Sequence, residues 1–353
     1  MATTLVNQLD FLGGPRRVAA SAPLPVLDER ERGTTFHEVP VKAILNSPAA
    51  TGMGFWSLNP YVGCEFGCTY CYARETHKWV VERQTGDEAP SPVAAEEAFE
   101  KQILVKVTAA AVLKRTLFPK RLAGQSLVIG TATDPYQPAE RRFRLTRSLL
   151  ETLLGWRGLS LGLITKSPLI VRDLDLLVKL AERHELTVNI SIASTDGELL
   201  RRLEARSPAP HARLRALARL TAAGIHAGML IAPIIPGVTD SREALGALMK
   251  EGKAAGARFA VGSALRLGPA ARSRFLPHLA HEFPELAPRY ARRYAGRSSA
   301  GRDYTEALGA RIRSLQQEHG FPVSRNRQRE RELKGQANHT EKPAPLEEQW
   351  TLL

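Results

Sequence analysis

Residues 59–74 read NPYVGCEFGCTYCYAR and contain every cysteine of the 353-residue chain, namely Cys64, Cys68 and Cys71. The spacing C-x3-C-x2-C puts three thiolates on one short loop, where they can converge on one metal centre. Three thiolates can hold three corners of a [4Fe–4S] cluster, which leaves the fourth iron open to a small-molecule ligand. Gly63 and Gly67 allow positive φ and a close approach of the backbone to the inorganic sulfides. The loop therefore predicts an iron–sulfur centre that takes part in chemistry.

Two other interpretations of the cysteines compete with this one. A zinc site needs a fourth ligand, and His77 follows Cys71 at a longer spacing than the usual three to five or so residues between such ligands. A helix predicted over residues 72–83 would also point His77 away from the loop. A disulfide framework disagrees with the odd number of cysteines.

The composition is that of a folded protein with a basic surface. Hydrophobic residues make up 43% of the chain and charged residues 24%. We expect a cytoplasmic location, because the amino terminus lacks signal-peptide features, no apolar run is long enough for a membrane span, and free thiols suit a reducing compartment. The net charge of +13 favours weak contact with nucleic acid, although arginines spread over helix faces would give the same value.

Apolar strand-like runs alternate with amphipathic helical segments from residue 56 onward. After a first strand that leads into the cysteine loop, strands are predicted at 126–133, 159–165, 186–194, 225–235 and 259–265, with a short accessory strand at 103–107. Helices are predicted at 140–154, 169–184, 212–223 and 242–255. This alternation predicts an α/β fold with parallel strands and right-handed crossovers, a partial TIM-like (β/α)6 barrel.

The pattern also divides the chain into four predicted parts. Residues 1–45 are expected to be a loosely ordered, partly disordered lead-in, and residues 46–285 the partial barrel. Residues 286–323 are expected to form a C-terminal helical extension with one helix at 304–316. Residues 324–353 are basic and polar, and are predicted to be a disordered tail.

Polar residues gather where the predicted strands end, which is the functional end of a parallel barrel. The predicted site residues are Thr131, Thr133, Asp134, Tyr136, Glu140, Lys166, Asn189, Ser191 and Ser194. Ser191 and Ser194 lie on opposite faces of one predicted strand, and we favour Ser191 because it shares a face with Asn189. Asp134 has a structural alternative as a turn residue before a proline, and Glu140 one as an ion-pair partner of a neighbouring arginine.

The cysteine loop, with Tyr70 just before its last cysteine, resembles that of the radical S-adenosylmethionine (radical SAM) superfamily. The strings TDPYQP at 133–138 and TKSP at 165–168 resemble the branch related to spore photoproduct lyase. The resemblance covers residues 46–268. It implies that the cysteines hold a [4Fe–4S] cluster whose open iron is chelated by SAM. Reduction of SAM by one electron would give methionine and a 5′-deoxyadenosyl radical, which abstracts hydrogen from a substrate. A reductant such as flavodoxin or ferredoxin would supply the electron.

The resemblance also implies roles for single residues. Lys166 matches the position where the branch has a lysine near the SAM carboxylate. Thr131, Thr133, Asp134, Asn189, Ser191 and Ser194 are predicted to bind SAM, and Tyr136 and Glu140 to be catalytic.

One departure concerns the hydrogen donor. Spore photoproduct lyase uses a further cysteine to return a hydrogen atom to its thymine radical, and this chain has none. Either a tyrosine such as Tyr136 donates hydrogen, or the substrate differs. Three hypotheses follow: a radical SAM enzyme of unidentified substrate, a thymine photoproduct lyase, and a non-catalytic iron–sulfur binding or sensing protein.

Overall fold

The computed structural model describes residues 26–30, 33–77, 92–122 and 124–323. Its strands are β1 (Val26–Arg30), β2 (Thr34–Glu38), β3 (Leu45–Asn46), β4 (Trp56–Leu58), β5 (Tyr61–Val62), β6 (Gln102–Val105), β7 (Ser126–Ile129), β8 (Ser160–Thr165), β9 (Glu185–Ser191), β10 (Ala227–Ile234) and β11 (Ala260–Ala264). Its α-helices are α1 (Pro48–Thr51), α2 (Pro92–Lys101), α3 (Ala109–Thr116), α4 (Glu140–Phe143), α5 (Leu145–Leu153), α6 (Leu174–Arg183), α7 (Gly197–Leu203), α8 (Pro210–Ala222), α9 (Arg242–Ala254), α10 (Pro269–Glu282), α11 (Ala287–Arg293) and α12 (Arg302–Glu318). Short 3-10 helices cover Tyr72–Thr76, Pro119–Leu122, Pro168–Asp173 and Pro284–Leu286.

The main sheet has the strand order β11-β10-β9-β8-β7-β4-β3. All neighbours in it are parallel except β3, which pairs antiparallel with β4 at one edge. In β9 the apolar residues Leu186, Val188 and Ile190 are buried in the main core, whereas Thr187 and Asn189 on the other face are half-buried. Among the described strands β11 and β3 remain the two edges, so the sheet is open. This confirms the partial TIM-like (β/α)6 barrel.

A second sheet joins segments that are distant in the chain. Its strand order is β1-β2-β6-β5, with β2 parallel to β6. The predicted accessory strand is therefore β6, and part of the predicted loose lead-in has regular structure in β1 and β2. Because β2 pairs with a strand far along the chain, its own residues carry no local signal for that pairing. Residues 1–25 of the lead-in lie outside the described residues.

Backbone geometry shortens or divides several predicted elements. The strand predicted at 126–133 ends at Ile129, because the next residue, Gly130, has a φ of 95°, which is not a strand conformation. Glycine is needed at this position, since a Cβ there would collide with the carbonyl oxygen of Ile164. The helix predicted at 140–154 divides into α4 and α5 at Arg144, whose φ is 53°. The helix predicted at 169–184 begins as a 3-10 helix before α6. Of the helix predicted at 72–83, the described residues contain the 3-10 helix Tyr72–Thr76, and residues 78–83 lie outside the described ranges.

The C-terminal helices cover two parts of the barrel. Helices α10 and α11 pack over the cysteine loop, where Phe275, Tyr290 and Tyr294 share an apolar cluster with Cys64 and Cys68. Helix α12, predicted at 304–316, packs against β11 and α9. The predicted tail at 324–353 lies outside the described residues. Within the described ranges, no helix is long and apolar enough to cross a membrane.

Candidate iron–sulfur and cosubstrate site

The cysteine loop follows β5 and depends on two glycines. Gly63 has φ of 84° and Gly67 has φ of 62°, as expected for residues that reverse the chain. A Cβ at Gly63 would lie 2.8 Å from the carbonyl oxygen of Phe99, and one at Gly67 would lie 2.7 Å from the Glu100 carboxylate. The backbone of the loop is therefore packed directly against the end of α2.

The thiols face an apolar environment. Cys64 and Cys68 are buried with 7% and 6% exposure, and Cys71 is half-buried. Burial raises the pKa of all three thiols, that of Cys68 to about 12. Thiols with such high pKa values stay neutral near pH 7 unless a metal replaces the proton. Three sulfur donors on one short loop suit a soft-metal centre such as an iron–sulfur cluster.

The zinc alternative finds no support in these residues. His77 is fully buried and packs edge-to-face on Phe99, with ring centroids 5.7 Å apart. Burial lowers the pKa of His77 to about 4. In the part of the chain that the structure describes, no three His, Cys, Asp or Glu side chains, the three cysteines included, form a group that could hold a single metal ion.

Polar side chains after β7 hold the cysteine loop by its backbone. Thr133 Oγ1 donates to the Gly63 carbonyl oxygen at 2.6 Å, and Gln137 Nε2 donates to the same oxygen at 3.2 Å. The backbone amide of Glu65 donates to Gln137 Oε1 at 2.9 Å. Gln137 lies in the TDPYQP string, whose polar residues the sequence places at the functional end of the barrel, and it is fully buried. Thr131 acts nearby: its hydroxyl accepts from Asn59 Nδ2 at 3.2 Å, and its carbonyl oxygen accepts from the Tyr72 hydroxyl.

Asp134 joins the ends of β7 and β8. Its carboxylate accepts from Thr165 Oγ1 at 2.6 Å, from the Lys166 amide at 2.7 Å and from the Tyr136 amide at 2.9 Å. Burial raises the pKa of this carboxyl group, and these donors oppose the effect. The contacts match the structural alternative for Asp134, because its oxygens are already used within the protein.

The two predicted catalytic residues, Tyr136 and Glu140, are both fully buried. Glu140 accepts from the Tyr61 hydroxyl at 2.5 Å, from Arg172 Nη2 at 2.9 Å and from the Thr146 amide at 3.0 Å. These contacts match the structural alternative for Glu140 as an ion-pair partner of an arginine, and that arginine is Arg172. Burial raises the pKa of the Tyr136 hydroxyl well above its usual value, and the nearby carboxylates of Asp173 and Glu140 add to this. Tyr136 therefore belongs to the core.

Lys166 and Ser191 meet at the ends of β8 and β9. Lys166 Nζ donates to Glu204 Oε1 at 2.9 Å, to Ser191 Oγ at 3.1 Å and to the Tyr70 hydroxyl at 3.3 Å. Tyr70 lies between Cys68 and Cys71 in the chain, so this contact connects the polar group directly to the cysteine loop. The structure thus brings together the predicted lysine, the favoured serine and the loop.

Asn189 and Ser194 do not join this group. Asn189 Nδ2 donates to the Leu163 carbonyl oxygen at 3.3 Å, and Asn189 lines a pocket of about 320 Å³ near Thr187 and Phe259. Ser194 lies beyond β9, which ends at Ser191, and its hydroxyl accepts from the Asp196 amide at 3.1 Å. The two-face argument for Ser194 was wrong, because the strand does not reach it.

Glu204 and Arg213 complete the polar group, and we did not predict either from the sequence. Each is 1% exposed, and Glu204 accepts from Lys166, Arg213 and the Tyr70 hydroxyl. Burial alone would raise the pKa of Glu204, but the Lys166 ammonium and the Arg213 guanidinium lower it to about 2. Arg213 also donates to the carbonyl oxygens of Ser191 at 3.0 Å and Pro208 at 2.7 Å. In an arginine-rich chain both residues have the pattern of ordinary surface charges on helices.

The segment around Glu204 also supports the cysteine loop. The amide and the hydroxyl of Thr69 both donate to the Leu203 carbonyl oxygen at 3.1 Å. The Ser207 hydroxyl lies 3.5 Å from Cys68 Sγ. Residues 203–207 therefore contact the loop at successive positions from Cys68 to Tyr70.

The chain is similar to radical SAM proteins in sequence. The profile of the Radical SAM superfamily matches residues 58–248. An uncharacterized protein of Mycobacterium tuberculosis is 35% identical over 285 residues, which cover 80% of each chain. An uncharacterized protein of Methanocaldococcus jannaschii is 30% identical over 189 residues, which cover 54% of this chain and 64% of that protein.

Solved structures show the same fold. A variant of spore photoproduct lyase matches with a TM-score of 0.59 at 16% identity, covering 86% of each chain. Another variant, with bound AdoMet and a dinucleoside spore photoproduct, matches with a TM-score of 0.56, covering 81% of this chain and 79% of that one. Radical SAM proteins use a [4Fe–4S] cluster and SAM, which the three-cysteine loop fits. By its profile match and its mycobacterial relative, the chain belongs to the radical SAM superfamily of enzymes.

Proposed function

We propose that this protein cleaves SAM reductively at a [4Fe–4S] cluster held by Cys64, Cys68 and Cys71, and abstracts hydrogen from a substrate that is not yet identified. The observation that carries the proposal is the contact between the two halves of the site. The buried cysteine loop meets the polar group of Lys166 and Ser191 through Tyr70, which donates to the same carboxylate that Lys166 contacts. A loop that only held a cluster would not need this group.

The residues of the chain have distinct parts in this proposal. Cys64, Cys68 and Cys71 would hold the cluster, which in its reduced form would supply one electron to SAM for cleavage of the C5′–S bond; methionine would be released, and the 5′-deoxyadenosyl group would accept a hydrogen atom from substrate carbon. Lys166 would bind the SAM carboxylate, with Ser191 beside it. Thr133 would keep the loop in position by its hydrogen bond to Gly63. Phe275 and Tyr290, packed in the same apolar cluster as the cysteines, would keep water away from the reacting groups.

A thymine photoproduct lyase is the second candidate within enzymes. It is favoured by the fold of spore photoproduct lyase, whose solved forms include one with a dinucleoside photoproduct, and by the net charge of +13. The chain lacks a fourth cysteine, and the tyrosine offered in its place, Tyr136, is fully buried in the core. These two facts favour a different substrate. The non-catalytic alternative, an iron–sulfur binding or sensing protein, does not account for the Lys166 group.

The partners and the location follow from the same proposal. The cluster needs a low-potential reductant, so we propose flavodoxin or ferredoxin as the electron donor. We propose the cytoplasm as the location, because free thiols suit a reducing compartment. Nucleic acid remains a weak partner proposed from charge alone.

The decisive experiment is anaerobic reconstitution with iron and sulfide, followed by reduction with dithionite in the presence of SAM. We expect 5′-deoxyadenosine and methionine from the wild-type protein. The protein with Cys68→Ala is the matched control and should form neither. A reconstituted protein that holds the cluster but leaves SAM intact would favour the non-catalytic alternative.

A further inference from the structure

The Lys166 ammonium has no free hydrogen-bond donor in the structure. An ammonium has three N–H groups, and those of Lys166 are taken by Glu204, Ser191 and Tyr70. The shortest of these contacts, at 2.9 Å, is the one to Glu204, which is also the only carboxylate among them. Charge-assisted bonds of this kind are roughly twice as strong as neutral ones. A further carboxylate can therefore reach Lys166 only by exchange with a present partner.

Glu204 itself is fixed in place. Arg213, which is as deeply buried as Glu204, donates to its other carboxylate oxygen and also holds the carbonyl oxygens of Ser191 and Pro208. The Tyr70 hydroxyl donates to Glu204 as well. Lys166 is the more accessible member of the pair, because its side chain is 14% exposed whereas that of Glu204 is fully buried. When the pair separates, the lysine is the residue that moves.

We propose that Glu204 is the residue that sets the affinity for SAM, because its carboxylate occupies Lys166 until the carboxylate of SAM replaces it. The inference rests on the proposed function, in which Lys166 binds that carboxylate. Only molecules in which Lys166 has left Glu204 are competent to bind, and the apparent dissociation constant rises in proportion as this fraction falls. The internal carboxylate therefore weakens SAM binding and prevents Lys166 from being an unpaired buried charge in its absence.

The substitution Glu204→Gln tests the idea. The amide keeps one oxygen that can accept from Arg213, but it removes the negative charge that attracts Lys166. We expect the reconstituted Glu204→Gln protein to bind SAM about tenfold more tightly than the wild type, as measured by anaerobic equilibrium dialysis. Glu198→Gln is the matched control, because Glu198 is an exposed carboxylate on α7, the helix that precedes Glu204. That protein should bind SAM with unchanged affinity.

A double-mutant cycle with Lys166→Met separates the inference from the proposed function. Lys166→Met should weaken SAM binding, and adding Glu204→Gln to it should cause no further change, because the competing pair is already absent. Weaker or unchanged binding by the folded Glu204→Gln protein would overturn the inference while leaving the role of Lys166 intact. Unchanged binding by Lys166→Met would instead remove the lysine from the SAM site. If Glu204→Gln fails to fold, Glu204→Asp is the second variant, because its shorter side chain moves the carboxylate away from Lys166 while keeping the charge. This protein should bind SAM more tightly than the wild type, by a smaller factor than expected for Glu204→Gln. Unchanged affinity would again overturn the inference.

Discussion

Replacement of Lys106 by methionine should stabilise the protein, because this ammonium is buried and pairs with no carboxylate of the described residues. Lys106 is 7% exposed, and its Nζ donates to the Asn59 carbonyl oxygen at 3.0 Å. Burial lowers the pKa of Lys106 from 10.5 to about 8. A shift of this size means that burial of the charged Lys106 ammonium lowers the free energy of unfolding by about 3 kcal/mol near pH 7. Loss of the hydrogen bond offsets about 1 kcal/mol. We expect a net gain of about 2 kcal/mol in the free energy of unfolding.

The pH dependence gives the sign of this effect independently. Because the folded pKa lies below the unfolded one, the unfolded chain binds more protons at pH values between about 8 and 10.5, so the stability of the wild type rises with pH across this window. The advantage of Lys106→Met should therefore be full at pH 7 and mostly lost by about pH 10. Urea unfolding of the metal-free protein at both pH values measures it.

Lys101 offers a matched control in the same assay. It is exposed and pairs with Glu97 at 2.8 Å, so Lys101→Met should change stability by at most about 0.5 kcal/mol. The reasoning is refuted if Lys106→Met destabilises the protein at pH 7, or if its advantage over the wild type does not shrink at high pH.

Four further predictions concern the site and its surroundings. Alanine at any of the three cysteines should abolish binding of about four irons and four sulfides per chain. Tight binding of zinc by the purified protein, without an absorbance band at ~400 nm, would contradict this. Lys166→Ala should keep the cluster but weaken SAM binding by about 1.5–3 kcal/mol in equilibrium dialysis. Glu140→Gln should lower the free energy of unfolding by about 2–3 kcal/mol, because Arg172 and Tyr61 lose a buried charged partner, and the iron content should stay unchanged. A loss of 5′-deoxyadenosine formation without a loss of stability would instead support a catalytic role for Glu140. Any nucleic-acid binding should fall with salt at a log–log slope of about −0.9 per neutralised phosphate, and removal of residues 324–353 should flatten the slope; an equal slope without them would exclude the tail.

The class of protein was readable from local sequence. Three cysteines at C-x3-C-x2-C spacing, with Gly63 before the first and Gly67 between the first two, indicate the metal chemistry within one short loop. The alternation of apolar strands and amphipathic helices likewise predicted the partial barrel, because side-chain periodicity along a segment reports the face that the segment buries. Lys166 was predicted in the same way, since a polar residue at the end of a buried strand lies at the functional end of the barrel.

Other roles were decided only by tertiary structure. Tyr136 and Glu140 lie in the same polar stretch as Thr133, yet both side chains are buried in the core. There Arg172 and Tyr61 donate hydrogen bonds to the Glu140 carboxylate. Which way a side chain points after a strand ends depends on loop geometry, which residue types alone do not reveal.

Glu204 and Arg213 are the clearest case of this division. In sequence they are two charges among many in an arginine-rich stretch, and in the fold they are a buried pair that reaches both Lys166 and the cysteine loop. Local sequence was enough to predict the metal ligands, because the three cysteines lie within one loop and their side chains are themselves suited to bind metal. Only the packing of distant helices against that loop brings the carboxylate of Glu204 together with the cations of Lys166 and Arg213. The interaction energy of a charge depends on its burial and on the distance to its partner, and both are properties of the folded chain.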